Sequence, residues 1–247
     1  MSTTVVCLHA LGSSRLAFDA LAAELGPEFE LLALDLPGFG DAPVELGTSV
    51  RAMADHVVQR LSAVDDDWIL LGHSMGGKIA SVVAARALAG ELPPPSGVVL
   101  LAGSPPVPEP MAEERRAFML SWVRDGPLDA AAASEFVAAN VGGPLELAAA
   151  ERAVTDLLRS SPLAWRNWLE FGSREDWSER VGVLDLPAVL VAGGADGDLG
   201  ENAQRELNGV AYPRATFVTL PGAGHLLPLE RPREVASVVR ASRPART

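Results

Sequence analysis

The chain has 247 residues, 48% apolar and 21% charged, which excludes a disordered protein and fits one α/β domain or two small ones. Its 32 acidic residues outnumber 20 basic ones, and the net charge of −12 excludes the clustered cations that bind nucleic acid. The one cysteine, Cys7, cannot form an internal disulfide, and no apolar run is long enough to cross a bilayer.

The β-branched apolar run of residues 3–8 predicts a buried first strand. Its early start leaves no room for a signal peptide, so a soluble cytoplasmic protein is expected, free of membrane and nucleic acid. The loop His9-Ala10-Leu11-Gly12-Ser13-Ser14 follows, then a helix over 15–25 and a second strand over 29–34. That strand closes in the turn-rich Asp35-Leu36-Pro37-Gly38-Phe39-Gly40-Asp41. An amphipathic helix over 50–61, a strand over 68–71, a buried helix over 79–88 and a strand over 98–102 come next. This alternation predicts a parallel sheet covered by helices on both faces.

From 105 to 177 the rhythm changes. Helical patterns occupy 111–124, 128–139, 145–159 and 162–171, separated by Gly126-Pro127, Gly142-Gly143-Pro144 and Ser161-Pro162. Alternation resumes with a strand over 187–191, a helix over 201–208, a strand over 216–220 and a helix over 232–240. The expected organisation is therefore one core, 1–104 and 178–247, with a helical lid, 105–177, inserted after the fourth strand.

The chemistry centres on Gly72-His73-Ser74-Met75-Gly76, between a strand and a helix. A serine flanked by glycines two residues away on each side is the pattern of a nucleophile elbow, whose strained turn lifts the hydroxyl clear of the sheet. A serine hydroxyl attacks a carbonyl only when a base takes its proton and an acid orients that base. Of the four histidines, His225 is the candidate base, because it follows the last predicted strand in a glycine-rich loop. Asp196 is the preferred acid in Ala192-Gly193-Gly194-Ala195-Asp196-Gly197-Asp198, with Asp198 the alternative. The oxyanion formed on attack requires two amide donors; Met75 N–H follows the nucleophile, and Leu11 N–H comes from the loop after the first strand, shaped by His9.

With these residues placed, the sequence resembles the α/β-hydrolase superfamily over essentially the whole core. The elbow is similar to that of small esterases and C–C bond hydrolases, Asp35-Leu36-Pro37-Gly38-Phe39-Gly40 resembles the family's D-x-P-G-x-G loop, and Gly222-Ala223-Gly224-His225 its histidine loop. The family's G-x-x-D segment, counted from Gly193, falls on Asp196. Two departures stand out: His9-Ala10 replaces the usual His-Gly, and the chain opens at what would be the family's third strand. About six parallel strands are therefore expected, against the family's eight. The resemblance implies an acyl-enzyme on Ser74 that water resolves.

The lid carries Phe118, Trp122, Phe136, Trp165 and Trp168. His9, Trp122, Trp165 and Trp168 are the candidate substrate-binding residues, although aromatic side chains at helical spacing equally pack a lid on itself. Arg115, Arg116 and Arg166 are the candidates for a substrate carboxylate, with surface charge as the plainer reading. No metal or other cofactor is expected, since the histidines are few and not spaced as ligands. The expected reaction is hydrolysis of a small or medium, largely apolar carboxylic ester; oligomeric state is not legible. The alternatives are C–C bond hydrolysis of a dicarbonyl compound, which calls for a polar lid group facing Ser74, and non-hydrolytic ligand binding on the same fold.

Overall fold

The computed structural model describes residues 2–61, 64 and 67–243. Residues 1, 62, 63, 65, 66 and 244–247, which fall within the expected core, lie outside the described residues. Six strands, β1 (Thr3–Leu8), β2 (Phe29–Leu34), β3 (Trp68–His73), β4 (Gly97–Leu101), β5 (Ala188–Gly193) and β6 (Ala215–Leu220), form one sheet. All pairs are parallel and the order is β2-β1-β3-β4-β5-β6. This is the α/β-hydrolase arrangement expected, with six strands.

The central strands are apolar on both faces because both faces are covered. Val6, Leu8, Leu70, Val98 and Leu100 point into one core layer, with α2 (Val50–Arg60) and α3 (Met75–Leu88). Their neighbours Val5, Cys7, Ile69, Leu71, Val99 and Leu101 point into the other, against α1 (Asp19–Leu25) and α11 (Pro232–Ser242). Successive side chains of a strand alternate between faces, so an unbroken apolar run supplies two cores at once. The edge strands β2 and β6 are only partly buried, and both carry polar residues.

Between β4 and β5 the chain forms α4 (Glu113–Ser121), α5 (Ala130–Ala139), α6 (Leu147–Arg159) and α7 (Pro162–Glu170). The short α8 (Ser178–Val181) leads into β5. The last part of the chain holds α9 (Glu201–Ala203), extended by a π-turn over Gln204–Asn208, and α10 (Leu227–Glu230) before α11. The helical segment is fastened to the loops after β1 and β2. Ser14 Oγ donates to Asp156 at 2.7 Å, Ser161 N to Gly38 O at 2.8 Å, Asn167 Nδ2 to Thr48 Oγ1 at 2.6 Å, and Arg159 pairs with Asp41. Among the described residues no helix is long and apolar enough to cross a membrane.

One boundary moves instructively. The helix expected from residue 79 begins at Met75, because Gly76 and Gly77, poor helix formers, are demanded by a close crossing. A Cβ at Gly76 would collide with the Leu8 carbonyl, and Gly76 N donates to His9 O at 3.1 Å. Gly76→Ala is therefore expected to cost about 3 kcal/mol through overpacking against backbone that cannot yield. A urea midpoint lowered at constant slope would show it; an unchanged midpoint would mean that the crossing tolerates a methyl group.

Candidate active site

In a sheet ordered 2-1-3-4-5-6, the connections from β1 and β3 leave in opposite directions, and a crevice opens at the carboxyl ends of these two strands. Ser74 lies there, one residue past β3, with φ 51° and ψ −119°. Such a backbone is strained for any residue with a Cβ and persists only because the surroundings fix it. Ser74 N donates to Leu101 O at 3.0 Å, and Ser74 O accepts from Gly77 N at 2.7 Å and Ser104 N at 2.8 Å. The hydroxyl is thereby left pointing out of the sheet.

Three predicted residues meet there. His225 Nε2 lies 2.8 Å from Ser74 Oγ, and His225 Nδ1 lies 2.7 Å from Asp196 Oδ2. Burial pulls the Asp196 pKa upward, but the His225 ring, the Leu199 N–H and Arg115 outweigh it and leave the carboxyl below its ordinary value. A carboxylate so held accepts the Nδ1 proton and leaves Nε2 free to take the serine proton. Asp198, the alternative acid, instead pairs with Arg115 at 2.7 Å. Among the described residues, the N–H groups of Leu11 and Met75 donate to no protein acceptor.

His225 is itself held from behind, by groups the sequence did not single out. Its N–H donates to Asn140 O at 2.8 Å, and its carbonyl accepts from His73 Nε2 at 2.8 Å. Glu230 takes the N–H groups of Gly224 and Gly142. His73, next to the nucleophile, was the one readable signal among these, since a histidine at that place must face some part of the site.

The relay opens into a cavity of about 50 Å³ whose apolar lining includes Leu11, Met111, Met119, Phe136, Trp168 and Leu199, with Glu109 and Asn140 among its polar lining. Of the four candidate substrate-binding residues, only Trp168 lines it. Trp122 and Trp165 pack on each other with ring centres 6.2 Å apart, and both meet Phe136. Trp165 Nε1 finds Met119 O at 3.0 Å and its indole lies against Gly12 of the loop after β1, so it is committed to the packing of the helical segment on that loop. His9 is buried under the loops after β1 and β2. Its Nδ1–H donates to Ala10 O at 2.8 Å, and Nε2 accepts Leu36 N–H at 2.9 Å. Arg115 also lines the cavity, whereas Arg116 is buried on Leu169 O and Arg166 donates to Val123 O. Among the described residues no group of three or more His, Cys, Asp or Glu side chains is arranged to hold a metal ion.

A family model described as the alpha/beta hydrolase family matches residues 5–238. A pimeloyl-[acyl-carrier protein] methyl ester esterase of Neisseria meningitidis serogroup B is 28% identical, over 96% of this chain and 91% of that protein. A biotin biosynthesis bifunctional protein, BioHC, of Teredinibacter turnerae is 27% identical over 97% of this chain, which spans 44% of that longer protein. Among solved structures, an esterase from Exiguobacterium antarcticum matches with a TM-score of 0.82 at 17% identity, over 97% of this chain and 91% of that one, a likeness of fold.

The two buried histidines give the site an acid limit. Burial is the main cause that lowers the His9 pKa from 6.5 to about 4, and that of His73 to about 3. The unfolded chain takes up these protons first, so the stability they carry is whole above pH 6.5 and drains as pH falls toward 4, on the order of 3 kcal/mol for His9. Urea midpoints recorded from pH 7 to 4 should fall, and less steeply in His9→Gln, whose amide does not titrate. Parallel curves for the two proteins would remove His9 from the account.

Proposed function

The chain belongs to the alpha/beta hydrolase family and is a hydrolase of the carboxylesterase type; from that premise we propose that it cleaves small or medium, largely apolar carboxylic esters with Ser74, His225 and Asp196 as its catalytic triad. The observation that carries this is the relay from Ser74 Oγ through His225 to Asp196, with both links under 3 Å, at the head of a cavity whose lining is part apolar and part polar. In the proposed reaction His225 Nε2 takes the Ser74 proton as Oγ attacks the ester carbonyl. The Leu11 and Met75 amides stabilise the oxyanion, donors kept unspent for charge that develops only on attack. His225 then protonates the departing alcohol, and water, activated by the same imidazole, releases the acid from the acyl-enzyme.

The size of the cavity favours the small end of the substrate range, because sites that bury a drug-sized ligand run to about 300 Å³ or more. Relatives named as methyl ester esterases make methyl esters the first substrates to add to a chain-length series. Arg115 at the cavity wall is the feature that favours the second reading, C–C bond hydrolysis of a dicarbonyl compound. Its guanidinium, however, is already engaged by Asp198 and by Asn140 Oδ1 at 3.1 Å, which leaves the esterase reading ahead.

p-Nitrophenyl esters from acetate to decanoate should be turned over by the wild type. Ser74→Ala should lower kcat by about 10⁴-fold or more, and Asp196→Asn by about 10³- to 10⁴-fold with substrate binding little changed. A wild type inert on every ester whose Ser74 still reacts with a fluorophosphonate would move C–C hydrolysis to first place, to be checked with a coloured dienol substrate. Neither turnover nor labelling, together with thermal stabilisation by a ligand, would favour a non-hydrolytic binding protein.

A further inference from the structure

Lys78 is the only lysine in the chain, and its side chain is fully buried. It stands on α3 about one helical turn past Ser74. Its Nζ donates to three carbonyl oxygens, Gly172 at 3.1 Å, Ser173 at 3.4 Å and Glu175 at 2.9 Å. An ammonium has three N–H donors, so this cage uses them all. Burial pulls the Lys78 pKa down to about 8, against the pull of Glu109, Glu175 and Asp176, and the ammonium is the form present at pH 7.

Those carbonyls belong to the stretch by which the helical segment returns to the sheet. Arg116 of α4 grips the same stretch, donating to Leu169 O and Ser173 Oγ. Glu109 N bonds Ser173 O at 2.8 Å, and Trp177 N bonds Pro106 O at 2.8 Å, joining the outgoing strand of chain to the returning one. Trp168, in the cavity wall with Ser74, lies directly on Gly172: a Cβ there would come within 2.7 Å of the indole. The Lys78 ammonium is 5.9 Å from the centre of that ring. Contacts thus run in a closed circuit from Ser74 along the first turn of α3 to Lys78, Gly172 and Trp168, and back to the cavity.

Building on the reading of Ser74 as an esterase nucleophile, we propose that Lys78 is a positioning residue that fixes the spacing between the Trp168 wall and Ser74, and so sets which acyl groups the cavity admits. A cavity of about 50 Å³ is small, so a shift of the Trp168 wall changes how long an acyl chain it accommodates. Without the ammonium, Ser173 O keeps the Glu109 amide and Gly172 O only the Glu175 amide at 3.4 Å, while the half-buried Glu175 carbonyl loses the Lys78 donor, and the stretch rearranges to find others.

At pH 7, Lys78→Met should raise kcat/KM for p-nitrophenyl octanoate relative to acetate about tenfold, through KM, with labelling of Ser74 by a small fluorophosphonate within about threefold of wild type. Lys78→Arg, which keeps a cation among the same carbonyls, should hold the wild-type ratio within about threefold. Gly172→Ala leaves Lys78 in place but forces the Trp168 ring off its support, and should shift the ratio too; it decides the matter if Lys78→Met does not fold. An unchanged ratio in Lys78→Met or Gly172→Ala, or an equal loss on both esters through kcat, overturns the proposal. If the wild type hydrolyses no ester, the esterase reading fails separately. The wall is then read from the relative rates at which long- and short-chain fluorophosphonates label Ser74, and equal ratios in wild type and Lys78→Met overturn the role of Lys78. Absence of labelling overturns both.

Discussion

The site depends on one backbone crossing, where the first turn of α3 passes the end of β1. At Gly76 there is no side chain, its N–H bonds His9 O, and a methyl group in that place would strike the Leu8 carbonyl. The contact sets three things together. It forces the chain to reverse within one residue of β3, which is why Ser74 is held at a positive φ. It brings the Met75 amide, orphaned as the first N–H of a helix, beside the loop that carries Leu11. And it buries His9 and His73, whose rings tie neighbouring loops through neutral imidazoles. Strain at the serine is thus sustained by hydrogen bonds on both sides of it, and none of them uses the hydroxyl.

Much of this was legible in the sequence, for a physical reason. Strands read as short apolar runs and helices as periodic ones, so all six strands and the helices α4 to α7 fall within a few residues of expectation, whereas the single turn of α8 was too short to show a period. The elbow was legible because a turn that tight leaves little freedom in residue type. Asp196 and Asp198 were harder to separate, since both sit in one turn; the structure divides them by partner, His225 for one and Arg115 for the other.

What was not legible acts through backbone or through packing direction. Asn140 contributes a carbonyl oxygen, which any residue possesses. Trp122, Trp165 and Trp168 have the same composition signal, yet only the way the helices pack decides that one faces the cavity and two face each other. Lys78 sits in a mostly apolar helix, and its role depends on three carbonyls nearly a hundred residues away, which no local pattern encodes.

The sheet also explains why the helical segment takes part in the site. Three strand spacings separate β3 from β6, about 14 Å at the usual distance between strands. Yet His225, which follows β6, must stand within hydrogen-bond distance of Ser74, which follows β3. The loop after β6 therefore has to fold back across the ends of β5 and β4, and it passes Asp196 on the way. A loop reaching that far has no ladder to hold it. Its fixed points include Ala195 N on Ala223 O at 2.8 Å, His73 on the His225 carbonyl, and Asn140 O under the His225 and Leu226 amides. The first two come from the core, but Asn140 closes α5, in the middle of the helical segment. The base is thus hung between the sheet and the helices, and a displacement of the end of α5 reaches the imidazole through the Asn140 carbonyl and through Glu230, which holds Gly142 and Gly224 together.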